Sequence, residues 1–411
     1  MYNLEEKCIN LKKSYNILST STENERNTCL QNVSDTLLED IELILEANKI
    51  DVENARKIGM KDSLIDRLFL DEKRLKSICD SIKTIINLDD PLYTSETSFI
   101  TKTNLNIKKV HIPIGIIAII YESRPNVTID SFALCIKTGN PVLLRGSSSA
   151  INSNIAIINS IKKGIRKTSF PDTIVEFVDN TDRQIVNDIL INHNINLLIP
   201  RGGKNLIDFV TKNAKIPVLE TGAGNCHIFV DESADLNKSL EVILNAKLQR
   251  LGTCNTVESL LIHKSISKTF IPLLKDLLHD VEFRGCSNTC KIIDCKLAND
   301  EDYFEEFLDK ILSIKIVENV DDAINHINKY SSGHSEAILT NNLENANKFT
   351  RNIDSACVYV NASTRFTDGG EFGFGCEMGI STNRIHARGP VGLKQLVTYK
   401  YVIDGNYSIR K

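Results

Sequence analysis

The sequence contains no tryptophan, and aromatic residues make up only 6% of it. It also lacks an excess of positive charge: the formal net charge is −4, and no run of lysine and arginine forms a basic patch or tail. Proteins that bind nucleic acid normally carry such a cationic surface. The composition therefore argues against nucleic acid as a partner, while 411 residues are enough for two or three domains with a sizeable core.

Long hydrophobic runs are missing as well. The most apolar segment, residues 112–121, contains Pro113 and Gly115 and has about half of the roughly 20 residues that a membrane helix needs. Residues 1–7 (MYNLEEK) have no apolar signal core. The eleven cysteines are odd in number and scattered, unlike the paired framework of a small secreted protein. We therefore expect a soluble, cytoplasmic protein with reduced thiols and no membrane contact.

Two ligand signatures are also absent. Cys286, Cys290 and Cys295 lie close together, but their spacing matches no CxxC pair and the sequence places no fourth ligand. We expect no metal site and interpret these residues as free thiols. The dinucleotide fingerprint G-x-G-x-x-G is missing too, so a nicotinamide cofactor would have to bind by another geometry.

The first 90 residues show helical periodicity. One apolar stripe comprises Leu30, Val33, Leu37, Leu38, Ile41, Ile44 and Leu45. A second, after Asp71, comprises Leu75, Ile78, Ile82 and Ile85. Both are interpreted as core packing. Residues 98–102 and 107–111 then flank a polar turn and predict a hairpin of exposed strands, which could pair with another chain.

From residue 114 onward, strands alternate with helices. Predicted strands of the first series are residues 116–121, 142–144, 174–178, 196–199 and 216–219. Those of a second series are residues 226–230, 259–262, 314–317, 337–339 and 357–360, and residues 396–403 form a last strand. The alternation predicts an α/β fold with two Rossmann-like domains, each built on a parallel sheet. Ligands of such sheets bind at the carboxyl ends of the strands.

Three polar stretches follow strands of the first series: residues 122–126 (ESRPN), 145–149 (RGSSS) and 200–204 (PRGGK). The second and third place glycine and a cation, Arg145 or Arg201, between a strand and a helix N-terminus, which suits a phosphate group. Each stretch alone could be an ordinary turn with a solvated charge. Their succession on one sheet favours phosphate binding.

A single cysteine, Cys254, interrupts the junction between a predicted helix and a strand in residues 249–258 (QRLGTCNTVE). A thiol on a loop can reach a ligand and is a candidate nucleophile. The alternative is a spare cysteine that behaves as a small apolar residue. Residues 361–392 are glycine-rich and polar, and a loop of this length is usually functional or disordered. Its aromatic residues and arginines argue against disorder.

Six segments together carry a specific resemblance: residues 119–128 (IIYESRPNVT), 200–203 (PRGG), 220–227 (ETGAGNCH), 254–258 (CNTVE), 359–370 (YVNASTRFTDGG) and 386–390 (HARGP). They closely resemble the gamma-glutamyl phosphate reductase family of the aldehyde dehydrogenase superfamily, over nearly the whole chain. Leu251-Gly252 departs from the family pattern, which has a proline-serine pair there. No amino-acid kinase segment precedes the resemblance, so we expect the stand-alone enzyme.

The resemblance implies NADPH-dependent reduction of L-glutamyl 5-phosphate to L-glutamate 5-semialdehyde and phosphate, the second step of proline biosynthesis from glutamate. It implies a cofactor-binding domain (residues 1–96 and 113–222), a catalytic domain (223–360), an active-site loop region returning to the cofactor domain (361–383) and a small β oligomerisation element (97–112 and 384–411). We expect a homo-oligomer, with dimer and tetramer both open. Transient contact with glutamate 5-kinase is also left open.

The resemblance further assigns roles to residues. Cys254 would be the nucleophile, and the Asn126 side chain with the Cys254 backbone N–H would stabilise the oxyanion. Glu220 aligns with the water-activating glutamate of hydrolytic aldehyde dehydrogenases, and here it is either a supporting group or a strand-end residue. Expected cofactor-binding residues are Arg145, Ser147, Arg201, Gly202, Gly203 and Glu306, the last of them at the nicotinamide ribose. Expected substrate-binding residues are Arg124, Arg365 and Arg388, because arginine suits bidentate recognition of carboxylate and phosphate.

Two alternative functions remain open. A general NAD(P)-dependent aldehyde dehydrogenase working oxidatively would need Glu220 for thioester hydrolysis, but the arginine-rich motifs speak against it. A non-catalytic, cofactor-binding scaffold is the alternative from another class, and retention of Cys254 and Asn126 speaks against that. The sequence does not decide between NADPH and NADH.

Overall fold

The computed structural model describes residues 3–410, apart from the side chain of Ser63. The chain separates into two compact units. Unit 1 comprises Met1–Glu220, Gly373–Gly379 and Val391–Lys411, and unit 2 comprises Thr221–Phe372 and Ile380–Pro390. Residues 361–392, the predicted long loop, are thus shared between the units. The predicted functional domain boundaries stay a prediction.

Unit 1 begins with five helices: α1 (Leu4–Leu18), α2 (Glu23–Glu39), α3 (Ile41–Lys57), α4 (Asp62–Leu68) and α5 (Glu72–Ile86). The first predicted apolar stripe extends over two of them, because the chain turns at Asp40. The Asp40 carboxylate is held by Ser160 Oγ (2.9 Å) and Lys163 Nζ (2.7 Å). The second stripe lies on α5 as predicted, and Asp71 caps that helix by accepting from the Arg74 N–H.

The predicted hairpin follows as β1 (Ser95–Ile100) and β2 (Asn106–Pro113), paired antiparallel. A four-stranded parallel sheet comes next, with strands β3 (Ile117–Tyr121), β4 (Val142–Arg145), β5 (Val175–Phe177) and β6 (Leu197–Arg201) in the order β5-β4-β3-β6. Its helices are α6 (Pro125–Lys137), α7 (Ile151–Ile165), α8 (Gln184–Leu190) and α9 (Lys204–Asn213). The apolar alternation of the sequence therefore predicted this sheet correctly in four strands.

The prediction of a fifth strand at residues 216–219 is wrong. The segment makes only an isolated parallel bridge, between Leu198 and Val218. Pro217 has no N–H to donate, so the chain can exchange few ladder bonds at this edge. The two bonds that form run from Leu198 N–H to the Pro217 carbonyl and from Leu219 N–H to the Leu198 carbonyl, each 2.9 Å long.

Unit 2 is built on a seven-stranded parallel sheet. Its strands are β7 (Cys226–Val230), β8 (Val257–His263), β9 (Glu282–Gly285), β10 (Lys296–Leu297), β11 (Ile311–Val317), β12 (Ser335–Leu339) and β13 (Cys357–Val360), in the order β10-β9-β11-β8-β7-β12-β13. Its helices are α10 (Leu236–Leu248), α11 (Lys264–Leu277), α12 (Val320–Tyr330) and α13 (Leu343–Asn352). Central strand β8 is almost wholly buried, as a strand covered by helices on both faces should be.

The chain ends with short strands. β14 (Ile380–Ser381) and β15 (Gly389–Pro390) pair antiparallel in unit 2. β16 (Val397–Asp404), predicted at residues 396–403, pairs antiparallel with β2 in unit 1 along its whole length. The sheet β1-β2-β16 is formed in this way. Within residues 3–410, no helix is both long enough and apolar enough to span a bilayer.

Candidate functional site

The loop that carries Cys254 connects α10 to the central strand β8 and is held as a tight turn. Thr256 Oγ1 donates to the Arg250 carbonyl (2.8 Å), and Thr253 Oγ1 donates to the same carbonyl (3.1 Å). The Thr256 N–H donates to the Thr253 carbonyl (3.1 Å). Cys254 is partly exposed, so this turn keeps its thiol within reach of a ligand. We refer to residues 249–256 as the nucleophile loop.

A buried ion pair connects the helix before the nucleophile loop to the strand after it. Lys247, in the last turn of α10, places its Nζ 2.5 Å from Oε2 of Glu258 on β8, and both side chains are fully buried. The Leu308 N–H donates to the other carboxylate oxygen (3.1 Å). Burial raises the pKa of Glu258 to about 7 in spite of the ammonium beside it. The pair ties the end of the helix to the start of the strand and so fixes both ends of the loop.

The backbone of Cys254 packs directly against Gly224. A Cβ on Gly224 would lie 1.4 Å from the Cys254 carbonyl oxygen, so no larger residue fits there. The Gly224 N–H donates to Glu306 Oε1 (2.7 Å), and Cys226 Sγ donates to the Cys254 carbonyl (3.2 Å). The structure thus brings Glu306 next to the support of the nucleophile loop. Its expected role at the cofactor ribose stays a prediction.

The Arg365 side chain contacts the nucleophile loop. Its Nη1 donates to Thr253 Oγ1 (2.7 Å) and its Nε to Gln249 Oε1 (2.9 Å). The neighbouring Thr364 Oγ1 donates to the Asn255 carbonyl (2.7 Å). Burial lowers the pKa of Arg365, as does the charge of Arg250, while Cys254 favours the cation. The predicted nucleophile and one predicted substrate arginine are therefore neighbours.

Arg388, by contrast, is held by an acidic residue. Its Nη1 donates to Asp354 Oδ1 (2.7 Å) and its Nη2 to the Asp354 carbonyl (2.6 Å). Arg388 keeps the pKa of the Asp354 carboxyl below its ordinary value. An anionic substrate would have to compete with this carboxylate. The substrate role of Arg388 stays a prediction.

In unit 1, the three predicted polar stretches gather at one edge of the parallel sheet. Arg145 pairs in register with Ile120, and Arg201 pairs with Tyr121. Arg124 is the N-cap residue of α6, directly after β3. The carboxyl ends of β3, β4 and β6 therefore carry Arg124, Arg145 and Arg201, three of the five arginines predicted to bind ligands.

The stretch that begins at Arg145 has the features of an anion site. Arg145 Nε is buried and finds no acceptor among the described residues. Burial lowers the pKa of Arg145, and nearby Arg183 lowers it further. Ser147 Oγ lies 2.6 Å from Ser149 Oγ, which lies 2.7 Å from Ser123 Oγ. A cation with an unused donor beside linked hydroxyls suits a phosphate group.

The second glycine-containing stretch differs. The Gly203 N–H at the start of α9 donates to Glu122 Oε2 (2.8 Å), and a Cβ on Gly202 would lie 2.7 Å from the Glu122 carboxyl carbon. The protein's own carboxylate thus lies at the helix N-terminus, where a negative charge is stabilised. A phosphate group at Arg201, Gly202 and Gly203 would have to displace it. Arg145 is consequently the stronger phosphate candidate.

Asn126 is oriented by a residue that the sequence analysis missed. Its Nδ2 donates to Asp130 Oδ2 (3.1 Å), one turn further along α6. An ionised carboxylate only accepts hydrogen bonds, so it fixes which end of the amide faces it. Burial raises the pKa of Asp130 to about 6, and Arg201 opposes that shift. The i, i+4 spacing of Asn126 and Asp130 is the sequence signal that could have predicted this contact.

Glu220 is the last residue of the first segment of unit 1. Burial raises the pKa of its carboxyl, and the charge of Asp208 raises it further. A catalytic role for Glu220 stays a prediction. Across residues 3–410, no group of three or more His, Cys, Asp and Glu side chains is arranged to hold a metal ion.

Comparisons with known proteins agree with this geometry. The sequence model of the aldehyde dehydrogenase family matches residues 11–287 and 298–402. Gamma-glutamyl phosphate reductases from Thermotoga sp. (strain RQ2) and Kosmotoga olearia are each 52% identical to the chain, over 100% of both sequences. The crystal structure of the Thermotoga maritima enzyme of that name superposes with a TM-score of 0.98 at 51% identity, again over 100% of both chains. The Saccharomyces cerevisiae structure of that name is 31% identical, with a TM-score of 0.56 over 100% of this chain and 99% of that one. The resemblance inferred from the motifs is confirmed.

The ion pair at the base of the nucleophile loop generates a stability prediction. Glu258→Ala should lower the free energy of unfolding by about 3–5 kcal/mol, because it leaves the Lys247 ammonium buried and unpaired. The double variant Lys247→Met/Glu258→Leu should recover most of that loss. Chemical denaturation of both variants and the parent measures the effect. Equal loss in single and double variants would show that packing, not the unpaired charge, dominates.

Proposed function

This chain belongs to the aldehyde dehydrogenase family, and it is an oxidoreductase whose full-length homologues are gamma-glutamyl phosphate reductases. We propose that it reduces L-glutamyl 5-phosphate to L-glutamate 5-semialdehyde, with release of phosphate, through a thioester on Cys254. The observation that carries this proposal is the nucleophile loop, where a partly exposed thiol lies beside the Arg365 guanidinium.

In the proposed first step, the Cys254 thiolate attacks the acyl-phosphate carbon. The resulting oxyanion accepts hydrogen bonds from the Cys254 backbone N–H and the Asn126 side chain, and loss of one such donor typically costs about 10²–10³ in rate. Collapse of this intermediate expels phosphate and leaves the acyl group on sulfur. The guanidinium of Arg365 suits the leaving phosphate or the substrate carboxylate.

The residues of unit 1 fit a phosphate-bearing nicotinamide cofactor, because the buried Nε of Arg145 has no acceptor within residues 3–410. We assign Arg145, Ser147 and Arg201 to the cofactor phosphates and Glu306 to the ribose. NADPH is the proposed cofactor, and when bound it supplies the hydride that reduces the thioester. Cys254 is then the leaving group that frees the aldehyde. Asn126 and the Cys254 N–H serve this step as they serve the first.

Exclusion of water matters in this proposal, because hydrolysis would destroy the thioester. Burial raises the pKa of the Glu220 carboxyl, which does not by itself argue against a general base. A reductase that releases an aldehyde has no use for an activated water, so we assign Glu220 a supporting role. The acyl phosphate is itself labile, so we also propose transient contact with a glutamate 5-kinase in the cytoplasm.

Cys254→Ala should abolish the reverse reaction, in which glutamate semialdehyde, phosphate and NADP⁺ give reduced nicotinamide, because no thioester can form. Absorbance of the reduced cofactor, recorded with and without phosphate, is the measurement. Cys286→Ala removes a partly exposed thiol outside the proposed site and is the matched control. A signal that does not need phosphate would instead favour the hydrolytic aldehyde dehydrogenase. Cofactor binding without turnover in the parent would favour the non-catalytic scaffold.

We predict that kcat falls at low pH with a pKa near 6, because Asp130 becomes protonated. This fall is the acid limb of the pH profile. Below that value the carboxyl is protonated and no longer fixes the Asn126 amide. The folded-state pKa lies above the ordinary 3.8, so folding favours the protonated form, and this group's contribution to stability is present at low pH and lost as pH rises towards 6. The loss of activity in acid is therefore not caused by Asp130-linked unfolding.

The pH dependence of kcat and a parallel thermal melt test this role. Asp130→Asn presents both a donor and an acceptor, as the protonated carboxyl does, so it should remove the acid limb and hold kcat at its low-pH level. Asp130→Ala should lower kcat by up to about 10²-fold, as for a weakened oxyanion donor. An unchanged limb in Asp130→Asn would assign the titration to another group.

We further propose that the sheet β1-β2-β16 joins copies of this chain. Phe99 and Ile100 on β1 are 51% and 72% exposed, and Tyr401 and Ile403 on β16 are 57% and 56% exposed. Apolar side chains this exposed on the two outer strands of one three-stranded sheet mark an interaction surface. A second copy of the same sheet would cover it.

Tyr401→Asp/Ile403→Asp should shift the protein towards monomer in sedimentation velocity, because two charges would be buried in the interface. Lys400→Asp changes a residue on the alternate face of β16 and is the control. An unchanged sedimentation coefficient in the double variant would move the interface elsewhere.

A further inference from the structure

The segment that joins β9 to β10, residues 286–295, brings two thiols together outside the site described above. Cys290 Sγ and Cys295 Sγ lie 3.2 Å apart. A disulfide bond is about 2.05 Å long, so the sulfurs need to approach by only about 1 Å.

The backbone holds this arrangement in place. The Cys290 N–H donates to the Cys286 carbonyl (3.0 Å), and the Ala298 N–H donates to the Gly285 carbonyl (2.9 Å). The ends of the segment are also joined by the parallel pairing of β9 with β10. A Cβ on Gly285 would lie 2.8 Å from Cys295 Sγ, so the glycine leaves room for that sulfur. The loop geometry itself therefore sets the approach of the two thiols.

The two thiols are also accessible and differ chemically. Both are partly exposed, whereas Cys8, Cys29, Cys79, Cys135, Cys226 and Cys357 are buried. Burial raises the pKa of Cys295 to about 12, and the neighbouring Cys290 raises it too. Cys295 therefore favours its protonated form. The third cysteine, Cys286, points instead to Thr289 Oγ1 at 3.3 Å.

We propose that Cys290 and Cys295 are a dithiol modification site that undergoes exchange with low-molecular-weight disulfides. The Cys290 thiolate attacks one sulfur of the oxidant, forms a mixed disulfide and expels one thiolate. Cys295 then attacks Cys290 Sγ and expels the second thiolate, which takes up the Cys295 proton. The two cysteines are oxidised to one intramolecular disulfide, and the oxidant is reduced to two thiols.

The chain offers a direct test, because Lys291 lies between the two cysteines. The full-length protein is incubated with oxidised glutathione, alkylated and digested with trypsin. Cleavage after Arg284, Lys291 and Lys296 gives the peptides GCSNTCK and IIDCK. We expect these two peptides to be joined by a disulfide and to separate on treatment with dithiothreitol. Free, fully alkylated peptides after this incubation would overturn the proposal.

Three serine variants identify the atoms involved. Cys290→Ser should abolish the linked peptides, and Cys286→Ser should leave them. Cys295→Ser should accumulate a glutathione adduct on Cys290, since the second step is blocked. Linkage through Cys286, or a disulfide confined to GCSNTCK, would overturn the assignment. Circular dichroism of each variant checks the fold, and the adduct in Cys295→Ser reports on Cys290 without any activity measurement.

Discussion

The nucleophile loop depends on one buried ion pair. Lys247 and Glu258 are fully buried, and burial opposes both charges, because it raises the carboxyl pKa and lowers the ammonium pKa. Two well-packed apolar residues could give similar stability. Apolar residues would not fix the register of α10 against β8. The ion pair does, because the ammonium, the carboxylate and the Leu308 N–H can form these hydrogen bonds in only one arrangement. The pair thus sets the helix end and the strand start between which eight residues must turn.

The rest of the site is arranged around that turn. Gly224 allows the closest approach of backbone to backbone beneath Cys254, and Glu306 fixes Gly224 through its N–H. From the other side, Arg365 and Thr364 bind the loop through its side chains and carbonyls. The turn includes Leu251-Gly252, and the hydrogen bonds of Thr253 and Thr256 to the Arg250 carbonyl close it. Many short polar contacts therefore hold this turn, between a helix and a strand that are packed in the apolar core.

Local patterns in the sequence were sufficient for most of the fold. Apolar alternation placed the central strands of both parallel sheets, and strand ends placed Arg124, Arg145 and Arg201 at one edge. The failures have physical causes. Pro217 interrupts a run that otherwise reads as a strand, and Asp40 divides a continuous stripe because residues on a distant helix hold its carboxylate. Partners such as Glu122 and Gly203 are 81 residues apart, and nothing in their local sequence announces the contact. Asn126 and Asp130, by contrast, share one helix face and could have been paired from spacing alone.

The contact between Glu122 and Gly203 bears on how an anionic cofactor would be held. Both glycine-containing stretches suggested phosphate, but at the N-terminus of α9 the protein supplies its own negative charge. At Arg145 a buried donor has no acceptor among the residues that the structure describes, which costs free energy unless a ligand uses it. A phosphate group at Arg145 would satisfy that donor, whereas one at Gly203 would first have to release Glu122. The energetic asymmetry favours Arg145 over the N-terminus of α9 as a contact for phosphate.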